Sequence, residues 1–195
     1  MSRSRPLLAP PAAGSAVALA AVLALLLGAA PASAVPVEDY ASYQPQTRCR
    51  PHAKPGTRVL GDWMVATYGG ASGGISRACT TSTSEHQEGR AFDWTLDAAK
   101  RADRLRAKAF LTAVLATDRL GNAHARARRM GIMYVIWNDR MWSAWDEFAP
   151  EDYLSASCKD TATCSPTLRH RDHLHVSLTR PAGRGETSWY AGRLS

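Results

Sequence analysis

Apolar and polar positions change rhythm several times along the chain, and each rhythm predicts an element. From Thr57 to Tyr68, Val59, Leu60, Trp63, Met64 and Ala66 recur at helical spacing, and Gly69-Gly70 ends the helix. Gly, Ser and Thr then run to Glu85 as one long loop, of a length that in a compact domain is functional or disordered. Gly89 to Leu96 alternates, with Ala91, Asp93 and Thr95 on one face and Phe92, Trp94 and Leu96 on the other. That period of two predicts a half-buried strand. Asp97 has the character of an N-cap for a helix over Ala98–Thr117, where Leu105, Ala109, Ala113 and Ala116 keep helical spacing and Arg101, Arg104 and Lys108 take another face. Gly121-Asn122 breaks it, and a second helix runs from Ala123 to Met130. Ile132 to Trp137 reads as a strand, turned by Asn138-Asp139 into a partner over Arg140–Trp145. After a polar stretch, His173 to Leu178 alternates again, with His173, His175 and Ser177 opposite Leu174, Val176 and Leu178.

Strands in hairpins and helices grouped together predict an α+β fold: a small antiparallel sheet with helices packed on one side and the polar positions on its open face. A doubly wound parallel sheet needs regular strand–helix alternation and a Gly-rich phosphate turn. The sequence has neither.

The first 34 residues follow a different logic. Arg3 and Arg5 precede an apolar run from Ala16 to Leu27, and Ala32-Ser33-Ala34 closes the segment with small side chains. This is the three-part pattern of a secretory signal peptide. The apolar run is shorter than the about 20 residues a membrane helix needs. The expected organisation is a signal peptide over 1–34, an extended lead-in rich in Pro and turn formers over 35–56, and a folded domain over 57–195. Removing the leader takes the net charge from +7 to +5 and leaves a secreted or wall-associated chain with no membrane anchor, expected as a monomer. The remaining charge comes without a nucleic-acid motif, so no nucleic-acid partner is expected. The arginines at 101, 104, 126, 128 and 129 read as exposed helix faces, and His52, His124 and His170 belong to no pattern.

Export sets the reading of the four cysteines, because disulfides persist outside the cell. Of three possible pairings, Cys158 with Cys164 closes a small polar loop, and Cys49 with Cys79 then ties the lead-in to the body. Zinc binding by the four is disfavoured because no C-x-x-C pair exists. The sharper alternative is a nucleophilic Cys79 with His86 seven residues on.

Ionisable groups on the polar faces of the two alternating strands carry the candidate chemistry. Asp93 stands on the first strand, with His86 at the end of the loop before it; His173 and His175 stand on the last, with Asp172 at its entrance. Imidazole and carboxylate are the ligands of catalytic zinc, which takes three protein groups and keeps one position for water. If the two strands are neighbours, Asp93 and His175 converge from a shared face while His86 folds over from the loop.

The run Ser84-Glu85-His86-Gln87-Glu88-Gly89-Arg90-Ala91-Phe92-Asp93 resembles the S-x-H-x-x-G-x-A-x-D signature of the VanY-like D-alanyl-D-alanine carboxypeptidases. Asp172-His173-Leu174-His175 resembles their closing motif, in the H-x-H form of the wider LAS metallopeptidases. The resemblance covers most of residues 49–190. It implies zinc held by His86, Asp93 and His175, with Asp172 as general base or His173 in its place, and peptidoglycan stem peptides as substrate. Arg77 resembles the family's loop arginine that stabilises the oxyanion, and Ser84 is a candidate hydrogen-bond partner of substrate. The Asp and H-x-H form is closer to endopeptidase-like members, so carboxypeptidase and endopeptidase both stand as the expected activity. The alternative is a wall-binding module on the same scaffold without turnover.

Overall fold

The computed structural model describes residues 36–194, so the predicted signal peptide lies outside the described residues. In α1 (Pro55–Tyr68) a proline opens the first turn, where its missing N–H costs nothing, and Leu60 and Met64 turn their stripe fully inward. Gly69 follows with φ 76°, a conformation a side chain disfavours. β1 (Ala71–Gly74) lies inside the segment expected to be one loop. Its Ala-Ser-Gly-Gly sequence has no alternation to announce it, and it exists because β2 offers it a ladder.

β2 (Ala91–Thr95) keeps the predicted faces, burying Phe92 and Trp94 against the helices. The next helix departs from expectation. α2 spans Arg101–Val114 and starts after Asp97, whose carboxylate accepts from the Ala99 N–H in a local turn rather than capping the helix. Its buried stripe is Ala107, Phe110 and Val114, and Leu105 is half exposed. The large ring at Phe110 decides the rotation: it meets Tyr68 and Trp94 edge-on at centroid distances of 5.9 and 6.0 Å.

α3 (Ala125–Arg129) leads into β3 (Ile132–Trp137), and Asn138 and Asp139, both at positive φ, turn the chain into β4 (Arg140–Ser143) as predicted. A short edge strand, β5 (Pro150–Asp152), pairs with β4. β6 (His173–Leu178) enters the middle of the sheet, and α4 (Arg180–Arg184) follows, capped by the Thr179 hydroxyl. The six strands are ordered β1-β2-β6-β3-β4-β5, every pair antiparallel. The fold is therefore α+β. Leu60, Met64, Phe110, Phe92, Trp94, Leu174 and Val176 fill the space between the helices and one face of the sheet.

The opposite face carries Asp93, His175, Ser177 and a smaller apolar group of Met133, Tyr134 and Ile136. The lead-in runs beside it and is bonded throughout. Glu88 accepts from the Thr47 N–H at 3.0 Å, the Gln87 carbonyl accepts from Arg50 N–H at 2.7 Å, and the Gly89 carbonyl accepts from Lys54 N–H at 2.9 Å. Cys49 is joined to Cys79 and Cys158 to Cys164, and no described cysteine is free. This disposes of Cys79 as a nucleophile. No helix among the described residues is long and apolar enough to cross a membrane.

Candidate metal centre

Three elements bring the predicted ligands together. His86 rides on a 3-10 turn, Glu85–Glu88, whose first turn is capped by the Ser84 hydroxyl accepting from His86 N–H at 3.3 Å. Gly89 ends that turn in the left-handed region with φ 66°, and a Cβ there would fall 1.9 Å from the His52 carbonyl oxygen. Glycine is thus required both by conformation and by the lead-in packed against it. Asp93 and His175 are direct cross-strand partners in β2 and β6, so their side chains rise together from the face opposite Phe92 and Trp94.

Asp93 Oδ1 lies 3.1 Å from His86 Nε2 and 3.0 Å from His175 Nδ1, and the two nitrogens are 3.2 Å apart. The second nitrogen of each ring is also engaged. His86 Nδ1 is 2.8 Å from the Ile75 carbonyl, which can only accept, so the proton sits on Nδ1 and the Nε2 lone pair faces Asp93. His175 Nε2 is 2.8 Å from the buried Ser177 hydroxyl; a proton donated there leaves the Nδ1 lone pair facing the same point. Three electron-pair donors therefore converge, with all their ligand atoms within 4.8 Å of one another. Such a set repels itself unless a cation stands among it. Two imidazoles and a carboxylate suit a divalent ion, and the residues fit one.

Without a cation among the three groups, the rings meet Asp93 through N–H instead, and the carboxylate form persists. Burial opposes ionisation of Asp93, but hydrogen bonds and charge from His175 and His86 outweigh it and hold the carboxyl well below the usual range. Burial pushes the His175 imidazole down, and Asp93 only partly pulls it back. A carboxylate and a neutral imidazole are the forms that ligate metal. Tyr134 stacks on His175 with centroids 5.5 Å apart, and its hydroxyl donates to buried Glu85 at 2.7 Å.

The remaining predicted residues sit around this group. Asp172 precedes β6, as expected of a residue at the strand entrance, and its Oδ1 is 2.7 Å from His173 Nδ1 while the Thr167 hydroxyl donates to its other oxygen. Partial burial opposes the Asp172 charge, but these two hydrogen bonds lower its pKa. His173 turns its Nε2 to within 3.7 Å of Asp93 Oδ1. Arg77 places Nη2 at 3.7 Å from Asp93 Oδ2 with its side chain 57% exposed, and its N–H donates to the His86 carbonyl at 3.2 Å. Ser84 caps the turn beneath His86.

Sequence reasoning missed His170. Its ring centroid lies 4.7 Å from His173 and 5.6 Å from His175, and its buried Nδ1 has no hydrogen-bond partner among the described residues. Burial, reinforced by those two histidines, pushes its imidazole down to about 3. The loop that holds it is tied to the hairpin turn: Asn138 N–H donates to the His170 carbonyl at 2.8 Å, and Arg169 forks onto Asp139 at 2.7 and 2.8 Å. The spacing His170-x-x-His173-x-His175 was the available signal. It is not a strand period, because the loop bends between the first two.

Fold and site together define a small antiparallel α+β domain with a buried two-histidine, one-aspartate group on the helix-free face of its sheet. The family described as VldE, C-terminal domain, matches residues 49–160, and the chain belongs to that family. The match takes in His86 and Asp93 and ends before Asp172 and His175. No curated protein and no solved structure matches the chain.

Proposed function

We propose that the protein is a secreted zinc-dependent peptidase that hydrolyses peptidoglycan stem peptides, as a D-alanyl-D-alanine carboxypeptidase or a related endopeptidase. The observation that carries this reading is the convergence of the His86, Asp93 and His175 lone pairs on one point, with the Asp172–His173 pair beside it. The VanY-like sequence motifs fall on these same residues, and the two disulfides suit an oxidising location.

Zinc held by the three ligands would supply Lewis acidity to a peptide carbonyl and acidify water for attack. The chain's own groups do the rest. The Asp172 carboxylate accepts from His173 Nδ1–H, which fixes the imidazole with its Nε2 toward the site. His173 Nε2 then takes the proton from the attacking water and returns it to the leaving amine, with Asp172 stabilising the imidazolium. Arg77, exposed at the rim, offers its guanidinium to the developing oxyanion or to a substrate carboxylate.

Digestion of purified muropeptides with the wild-type protein and with His86→Ala, each loaded with zinc, tests the reading. Released D-alanine or cleaved stem peptides are expected from the wild type only, because His86→Ala removes one of the three ligands a catalytic zinc needs. Equal products from both proteins, or none from a wild type that binds zinc stoichiometrically, overturn it; the latter outcome is the one a wall-binding module gives.

A further inference from the structure

We propose that the protein carries a second binding site, separate from the metal centre, for a ligand bearing two or more phosphate groups. A cavity of about 380 Å³ opens between the lead-in and α4. Arg48, Arg50 and Lys54 line it from the lead-in, and Arg180 and Arg184 from α4, with Arg90 at its inner wall. The single carboxylate in the lining is Glu88, against these six cationic groups.

That carboxylate is already committed. Glu88 accepts from Arg90 Nε at 2.6 Å and from the backbone N–H groups of Thr47 and Arg48 at 3.0 and 3.3 Å. Arg184 is held by Glu186 through two bonds of 2.6 Å, outside the lining. Arg180 bonds the Pro45 carbonyl and stands 3.7 Å from Glu88. Among the described residues Arg48, Arg50 and Lys54 have no ion-pair partner, although they face one cavity with three further cations. Their backbones hold the lead-in down through Glu88, Gln87 and Gly89, so the fold brings three like charges together and leaves their side chains free. Mutual repulsion among them is a cost that a polyvalent anion removes.

The chemistry favours phosphate over a lone carboxylate. Guanidinium forks match tetrahedral oxyanions two bonds at a time, and the excess of cations over acids calls for more than one negative charge. A free diphosphate-bearing molecule and a phosphodiester chain present the same group. The site is independent of the peptidase reading, since none of its cationic side chains contacts His86, Asp93 or His175.

Isothermal titration at low ionic strength tests this with two probes, inorganic pyrophosphate and a poly(glycerol phosphate) chain, on three full-length mature proteins: wild type, Arg48→Gln/Arg50→Gln and His86→Ala. The glutamines sit at exposed side chains whose backbone bonds they leave in place. Saturable binding of at least one probe is expected in the wild type, weakened about tenfold or more in the double variant and unchanged in His86→Ala. Binding of the polymer alone assigns the phosphodiester source, and binding of both assigns the diphosphate group itself. Absence of binding by either probe, equal affinity in the double variant, or loss in His86→Ala, which would put the anion at the metal centre, each overturns the proposal.

Discussion

At the scale of single residues, the site depends on groups that touch no substrate. Ser177 is fully buried and its hydroxyl meets His175 Nε2 at 2.8 Å, which sets the nitrogen that faces Asp93. Partners of this kind, which fix the tautomer and orientation of a ligating histidine, are worth about 10–100-fold in metal affinity. Ser177→Ala is therefore expected to bind zinc about 10–100-fold more weakly, and to destabilise the metal-free protein by about 1–3 kcal/mol because the buried His175 Nε2 loses its partner. Competition against a chromophoric chelator measures it, and Ser177→Thr, which keeps the hydroxyl, should recover most of the loss. Wild-type affinity in Ser177→Ala would mean that the hydroxyl does not orient the ring. The Ile75 carbonyl does the same for His86 from the backbone, so no side-chain substitution at position 75 removes it.

At the scale of elements, the strap between the lead-in and the 3-10 turn is organised by one cation. Arg90 is buried on β2's approach, bonded to Glu88 at 2.6 Å and to the Leu178 carbonyl at 2.7 Å, and also to the Gln44 carbonyl, with Glu85 3.7 Å away. Arg90→Leu strips buried Glu85 of its cation and leaves Glu88 only the more distant Arg180, a change that costs about 3–5 kcal/mol. For a domain of this size that lowers Tm by about 10 °C. Arg90→Lys should recover little, because one ammonium cannot span partners on three sides. Differential scanning calorimetry on the three proteins checks both statements. The alternation of Ala91–Thr95 and His173–Leu178 made β2 and β6 legible in the sequence, with Asp93 and His175 on their polar faces, while the adjacency that pairs them is a property of the folded sheet. Arg90 was not legible as a hub, because its partners come from three separate segments. β1 and β5 were hidden for a related reason: Ala-Ser-Gly-Gly and Pro-Glu-Asp carry no period, and their neighbours impose their pairing. The stripe of α2 was misassigned because spacing alone does not rank Phe110 above Leu105; the aromatic floor of Tyr68 and Trp94 does.

At the scale of the whole molecule, the two disulfides differ in what they restrain. Cys49–Cys79 joins positions 30 apart and fixes the lead-in to the segment that carries Arg77, whereas Cys158–Cys164 joins positions only 6 apart. Loop-closure entropy gives the first about 3–4 kcal/mol and the second about 2 kcal/mol. Urea denaturation should therefore rank Cys49→Ser/Cys79→Ser below Cys158→Ser/Cys164→Ser in stability, with both below the wild type. The first pair also lies on the route to the metal centre. Arg77 N–H bonds the His86 carbonyl and Thr80 N–H bonds Gln87 Oε1 at 3.1 Å, so the bridge at Cys79 pins a segment attached at both ends to the turn carrying His86. Loss of that bridge is expected to weaken zinc binding as well as stability, while loss of the short bridge lowers stability alone. A Cys49→Ser/Cys79→Ser protein that keeps full zinc affinity at temperatures where it is folded would show that β2 and β6 hold the site without help from the lead-in.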